Sequence, residues 1–212
     1  SRNAAPSKKE AGDLSDFLFS ATPRCSAPLG HALARYLGHV APVTEHAEGE
    51  WGSIAVVRGS RDAGSVLAET QDSITVLIGN PIVTGNHGIR KPSLAPGMRL
   101  HLHDLLRKRI VQWDDYLDGH YAALQVDKQS GSVLMITDRF AFVTVFASED
   151  KTSSAPILGT HLEAVASAAG RSRDIDLVAA VDMLMSLSCT APHTLYRGVR
   201  QQPAASAVRL DA

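Results

Sequence analysis

The sequence predicts an α+β fold in which the strands pair antiparallel. Two apolar, β-branched segments, residues 120–126 and 132–137, are separated by the polar turn 127–131, a pattern typical of a hairpin. Strand-like and helix-like segments partly segregate along the chain and do not alternate as in a doubly wound parallel sheet. A chain of 212 residues is long enough for one domain with a sizeable core. We therefore expect layers of antiparallel strands and helices.

Further strands are predicted where short runs of apolar and β-branched residues end at turn residues. These runs are residues 53–57, 65–69, 73–78 and 142–147, with a terminal strand from Val208. We expect the run 73–78 to end at Gly79, Asn80 and Pro81, since glycine and proline interrupt strands. Residues 40–49 contain Pro42 and acidic side chains, which indicates a loop.

Four helices are predicted from apolar residues spaced three and four positions apart. They span residues 28–37, 100–113, 160–169 and 176–188. Thr160 and Glu163 have the spacing of a capping box, and Asp174 or Asp176 caps the last helix. That last helix is apolar on most sides, so we expect it to be largely buried. Residues 13–19 are either a short helix or an apolar docking segment.

Composition excludes several classes of protein. The formal net charge is -1, so there is no basic excess with which to bind nucleic acid. No apolar run approaches the ~18 residues of a membrane-spanning helix. Cys25 and Cys189 are too few for a disulfide framework, which favours a cytoplasmic location. Residues 1–12 are polar and expected to be disordered, and the first residue is Ser, which indicates a processed chain or part of a longer one.

Five short motifs occur in a fixed order in the second half of the chain. They are LDGHYAAL at 117–124, DRF at 138–140, ILGT at 157–160, TLYRGV at 194–199 and Gln202-Pro203 before the terminal strand. This order resembles the glutaminase domain of asparagine synthetases and related class II glutamine amidotransferases. The resemblance implies an N-terminal-nucleophile (Ntn) fold, a four-layer αββα sandwich of two antiparallel sheets, over residues 51–212. Residues 1–50 would be an N-terminal extension.

The sequence departs from this family at its catalytic parts. Active members begin with a cysteine nucleophile whose own α-amine is the base, whereas no cysteine stands near residues 51–57, the expected first core strand. The oxyanion-hole position holds Gly79 and Asn80, inverted relative to the family's Asn-Gly, and Pro81 lacks an N–H. The Arg-Gly-Pro loop and the aspartate that would bind the glutamine amine have no counterpart. We therefore assign no catalytic residue, and Gly79 and Asn80 form a degenerate oxyanion-hole position.

With these losses the chain resembles the shortened glutaminase-like domains of β-lactam synthetases and lasso-peptide cyclases. The resemblance implies an inactive domain with a structural or substrate-orienting role in an asparagine-synthetase-like, amide-forming ligase. A C-terminal synthetase domain or partner protein would bind ATP and magnesium. No pyrophosphate-loop motif occurs in the 212 residues, so we expect no cofactor or metal in this domain. A homodimer is left open.

Two alternatives remain at the level of sequence. Cleavage before Cys25 would expose a new N-terminal cysteine and give an active glutaminase, although Cys25 is followed by a proline and a helix where the family has a strand. The other alternative is a free-standing module that binds a partner protein or peptide through the former glutamine cleft. Cys189 is expected to be a core thiol.

Other candidate residues receive structural interpretations. Asp138 and Arg139 are expected to support the end of a strand and not to act as a catalytic pair. His101 and His103 are expected at the surface and not as metal ligands, since residues two apart diverge at a helix start. His161 could pack on Asp138, and His193 falls in a loop. The segment 84–99 is either disordered or a binding flap.

Overall fold

A computed structural model describes residues 15–36, 43–58, 66–84, 90–92, 117–149 and 156–211 of the protein. These residues form the strands β1 (Asp16–Ser20), β2 (Val43–Gly49), β3 (Gly52–Arg58), β4 (Val66–Glu69), β5 (Ser73–Thr84), β6 (Arg90–Pro92), β7 (Leu117–Asp127), β8 (Val133–Thr137), β9 (Phe146–Ser148), β10 (Ile157–Gly159), β11 (Val199–Gln201) and β12 (Ala207–Leu210). Their helices are α1 (Ser26–Tyr36), α2 (Leu162–Ala168) and α3 (Leu177–Ser186).

The strands form two sheets of six. The first has the order β11-β9-β10-β1-β3-β2, and the second has the order β12-β8-β7-β5-β4, with β6 pairing with β5. Every strand pair among the described residues is antiparallel. The predicted α+β class and the hairpin between β7 and β8 are therefore confirmed.

The main core lies between the two sheets. Phe17 and Phe19 of β1 belong to one buried cluster with Ile74 and Val76 of β5 and Leu124 of β7. Alternate residues of a strand point to opposite faces, so the intervening Leu18 is turned to the other side of the first sheet. Burial of large side chains here supplies most of the stabilisation of the sandwich.

The helices α1 and α2 cover the outer face of the first sheet. Leu18 is buried there in a second cluster with Leu29 and Leu33 of α1 and Val165 of α2. The outer face of the second sheet also contains buried residues, including Tyr121 of β7. Both sheets are thus buried on both faces in their centres.

The structure corrects our interpretation of the N-terminal region. Residues 13–19 were expected to form a helix or docking segment, but Asp16–Ser20 is a strand that pairs with β10 on one side and β3 on the other. The first core strand is therefore β1 and not residues 51–57, and the elements within residues 16–36 and 43–49 belong to the sandwich. The boundary predicted at residue 50 does not separate an extension from the fold.

Three further local predictions fail, because strand pairing decides where a strand begins and ends. Residues 43–49 were expected to be a loop, yet they form β2, an edge strand paired with β3 along its whole length. The strand predicted to end at residue 78 continues to Thr84 in β5, where Pro81 lies opposite Gly119 of β7. The strand predicted over 142–147 is reduced to Phe146–Ser148.

The predicted capping box is also wrong. Residue His161 occupies the N-cap of α2, with no side-chain cap. The Thr160 hydroxyl instead donates to Asp16 at 2.6 Å and accepts from the backbone N–H of Phe17 at 3.1 Å. Thr160 therefore fixes the beginning of β1. Asp176 does cap α3, because its carboxylate accepts from the N–H groups of Val178 and Ala179.

Some predictions lie outside the described residues. These are the helix over 100–113 with His101 and His103, most of the segment 84–99, and the disorder of residues 1–12. None of α1, α2 and α3, the helices of the described ranges, has the length and apolar character required to cross a membrane.

Candidate functional site

Gly79 and Asn80 lie at the same end of the sandwich as the beginning of β1. A cavity of about 480 Å³ lies at the opposite end. It is lined by Phe19 of β1, by Trp51 in the turn between β2 and β3, and by residues 128–131 of the β7–β8 turn. The end of β1 therefore faces the β7–β8 turn. Gly79 pairs with Tyr121 and Asn80 with His120, near the far end of β7. The position at which the resemblance implies an oxyanion hole therefore lies beside the beginning of β1.

Gly79 has a backbone conformation that depends on glycine. Its φ is 93°, and a Cβ atom there would overlap the carbonyl oxygen of His120 and approach the Val143 side chain to 3.1 Å. A residue with a side chain would have to displace the β5–β7 ladder itself. Glycine at this position is required by strand packing, independently of any catalytic role.

We expect Gly79→Ala to lower the free energy of unfolding by about 2 kcal/mol or more, because it combines a strained φ with a backbone overlap. Urea unfolding of the purified protein measures this loss. Gly170→Ala is the matched control, since Gly170 has φ 69° but no atom within 4 Å of a Cβ there. An equal loss for both variants would show that the overlap with His120 is relieved without cost.

Asp138 organises the loop beside this end of the sheet. The carboxylate is fully buried and accepts hydrogen bonds from four backbone N–H groups. The donors are Phe140 (2.8 Å), Val143 (3.1 Å), Phe142 (3.2 Å) and Tyr121 (3.3 Å). Asp138 joins the loop to β7 and has no exposed oxygen with which to act on a substrate. Its geometry agrees with the structural interpretation.

The loop that Asp138 fixes presents aromatic side chains to solvent. Phe140 is 75% exposed and Phe142 is 62% exposed. The ring centroid of Phe142 lies 4.1 Å from that of the exposed His120 and 5.6 Å from that of Phe140. These three residues, the aromatic cluster, stand beside Asn80, which pairs with His120. The cluster was not predicted from the sequence, although Phe140 and Phe142 stand two and four residues after Asp138.

Cys25 lies at the other end of the sandwich. Its backbone N–H donates to the Ser53 hydroxyl at 2.9 Å, and Ser53 pairs with Ser20 at the end of β1. His120, the partner of Asn80, is seven residues along β7 from Asp127, which is roughly 20 Å or more at the rise of a strand. The structure therefore does not bring Cys25 together with Gly79 and Asn80.

The residues at the beginning of β1 include no thiol. Ser15 is buried, and Asp16 accepts the hydrogen bond from Thr160. Pro81 contributes no N–H, so the segment after Gly79 lacks one backbone donor. Asp16 and Thr160 fix the beginning of β1, and the residues there do not form a nucleophile–base pair.

The histidines of the described ranges are dispersed. His161 stacks on Tyr36 with ring centroids 5.5 Å apart and lies 3.2 Å from Glu163, so it does not pack on Asp138. His193 lines a polar groove that also contains Arg171 and Arg200. No group of three or more potential metal ligands is found among the residues that the structure describes.

The fold and site together define the class as an α+β protein of two stacked antiparallel sheets. No protein-family model matches the sequence. The comparison with curated proteins also gives no match.

Proposed function

We propose that the chain is a class II glutamine amidotransferase-like domain, with an Ntn-type αββα arrangement, that no longer hydrolyses glutamine. Its role would be to support or orient substrates for an asparagine-synthetase-like, amide-forming ligase. The stacking of two antiparallel sheets with helices outside the first is compatible with this fold. The order of motifs between residues 117 and 203 favours this family over other two-sheet proteins.

One observation carries the proposal of lost activity. The central strand β1 begins at Asp16, at the same end of the sandwich as Gly79 and Asn80, and no cysteine stands there. An N-terminal-nucleophile hydrolase requires its nucleophile beside the oxyanion donors. Pro81 removes a donor at the same place. Loss of both parts at one end supports an inactive domain.

The cleavage alternative is disfavoured by the position of β1. Processing before Cys25 would remove residues 16–20, which pair with both β3 and β10. The new N-terminal cysteine would lie at the end of the sandwich opposite Gly79 and Asn80. Such a product would lack both a central strand and an oxyanion hole near its nucleophile.

Ammonia release from glutamine tests the proposal directly. We expect no release above the rate without protein, and no difference between the natural chain and Cys25→Ala. A known class II amidotransferase in the same assay controls for sensitivity. Release that depends on Cys25 would contradict the proposal and restore the cleavage alternative.

The partner that this function requires is a synthetase domain or protein carrying the ATP and magnesium site, in the cytoplasm. With a formal net charge of -1, the chain offers no basic excess for nucleic acid. Because the ATP site would be on the partner, the amide bond would form there, and this domain would contact the partner.

The aromatic cluster favours a second candidate function, that of a peptide-binding module. Exposed aromatic rings held by a rigid loop are typical of recognition surfaces. Phage-displayed random peptides selected on the protein provide the test. Selected peptides should bind at least about 10-fold more weakly to Phe142→Ala, a loss of the size that truncating an aromatic contact causes. Peptides that bind both proteins equally would exclude the cluster as their site.

A further inference from the structure

Helix α3 buries the small residue Ala179 and turns its large apolar side chains to solvent. Leu177, Val178, Val181, Leu184 and Met185 are between 55% and 83% exposed, and we call them the α3 stripe. Positions i, i+1, i+4, i+7 and i+8 lie on one side of a helix. The sequence predicts a helix that is apolar on most sides and largely buried, whereas these side chains are exposed. The expectation of a largely buried helix is therefore wrong.

The opposite side of α3 explains this orientation. Ala179 is the buried residue of the helix, and its carbonyl oxygen lies 3.6 Å from the Cys189 thiol. Asp182 accepts from the backbone N–H of Thr190 at 2.6 Å, and hydrogen bonds from Thr190 lower the pKa of Asp182. Desolvation raises the pKa of the half-buried Cys189 thiol. Cys189 and Thr190, which follow the helix, thus contact the side of α3 that carries Ala179 and Asp182. The α3 stripe therefore faces solvent.

The α3 stripe is complementary to itself. Its outer members lie three and four residues on either side of Val181. In an antiparallel pair of helices crossing at Val181, Val178 of each copy would meet Leu184 of the other. Leu177 would likewise meet Met185. The smallest side chains stand at and beside the crossing point, which allows the two helices to approach closely.

Charge and area both favour a second copy as the occupant. The stripe contains no ionisable side chain, Asp182 is engaged on the other side, and the net charge of -1 produces little repulsion between copies. With Leu187, which is 87% exposed, the apolar surface is on the order of 600–800 Å², comparable to the ~800 Å² per partner of a standard interface. Monomeric proteins seldom expose one apolar patch of this size.

We propose that the α3 stripe is the interface of a two-fold symmetric homodimer, in which the α3 helices of two copies pack antiparallel and cross at Val181. This interface goes beyond the proposed function and does not depend on it. A two-fold axis at Val181 makes the contact closed and isologous, so the assembly stops at two copies.

Sedimentation velocity of the 212-residue chain tests the proposal. We expect a concentration-dependent dimer, half formed at or below about 100 µM. Val181→Glu and Leu184→Glu, each on the surface of the monomer, should weaken the dimer at least about 100-fold, because each dimer would bury two like charges. Gln129→Glu, in the exposed β7–β8 turn, adds the same charge elsewhere and should leave the dimer unchanged. A monomer at all concentrations, or a dimer that survives both stripe variants, would overturn the proposal.

Disulfide formation tests the symmetry itself. Val181→Cys should oxidise to a covalent dimer, because equivalent residues on the axis lie within the ~4.4–6.8 Å Cα separation of a disulfide. Met183→Cys, on the same helix but outside the stripe, should not. Both variants carry Cys25→Ser and Cys189→Ser to remove competing thiols. Cross-linking of both positions at equal rates, or of neither, would exclude an antiparallel pair of α3 helices that crosses at Val181. The α3 stripe would then bind a different partner.

Discussion

Deletion of residues 1–24 is expected to prevent the protein from folding. The deletion removes β1, whose neighbours β3 and β10 would each lose a paired edge in the middle of the first sheet. It also removes Phe17, Leu18 and Phe19, all fully buried. Loss of one such side chain costs about 3 kcal/mol, so the three together approach the ~5–15 kcal/mol total stability of a domain.

The deletion is measured by expressing residues 25–212 and recording solubility and far-UV circular dichroism. A chain that starts at Asp13 retains β1 and is the matched control, expected to be soluble with a cooperative thermal transition. The point variant Leu18→Ala provides a graded test, with an expected loss of about 3 kcal/mol in urea unfolding. A folded 25–212 chain would contradict the central position of β1 and would make cleavage before Cys25 compatible with a stable product.

Replacement of Asp138 by alanine is expected to lower the free energy of unfolding by about 3–5 kcal/mol. Four backbone N–H groups would lose their shared acceptor, and the 138–143 loop would lose its attachment to β7. Asp138→Asn keeps the size but offers a single carbonyl oxygen, so its loss should be smaller than that of Asp138→Ala. Urea unfolding gives both values.

Asp174→Ala is the control for Asp138. Asp174 forms a half-exposed ion pair with Arg171 at 3.0 Å, and such surface pairs contribute about 0–1 kcal/mol. If Asp138→Ala lost no more stability than this control, Asp138 would not be the organiser of the loop. A stable Asp138→Ala protein that had lost binding to selected peptides would instead show that the loop serves recognition alone.

The elements that the sequence predicts correctly are those specified by neighbouring residues. The β7–β8 hairpin follows from two alternating segments around a polar turn, and α1 and α2 follow from apolar spacing. The N-cap of α3 was narrowed to Asp174 or Asp176, and it is Asp176, because capping depends on a hydrogen bond spanning two or three residues. Each of these signals lies within one continuous stretch of chain, the longest being residues 120–137.

The candidate site was predictable only in part. Gly79, Asn80 and Pro81 were singled out because glycine and proline usually end a strand, yet β5 continues through them to Thr84. Their register against Tyr121, His120 and Gly119 is a property of the sheet. The separation of Cys25 from Asn80 depends on which end of β1 faces the β7–β8 turn. No local sequence pattern indicates either this register or this separation.

Among the failures, β1 depends on residues that are distant in sequence. A strand of five residues is marginal in isolation and is stabilised by its neighbours, which for β1 lie 33 or more residues away in sequence. Thr160 illustrates the same effect, since its hydroxyl bonds with β1 and not with the helix that follows it.

The sequence alone determined that the protein is an α+β chain with antiparallel strands, that α3 is apolar on most sides, and that Gly79, Asn80 and Pro81 follow a strong strand pattern. Only the tertiary structure decided that β1 is central, that Asp138 is an internal acceptor, and that the α3 stripe faces outward. The physical reason is that periodicity specifies which side of an element is apolar, whereas burial depends on what the rest of the chain places against that side.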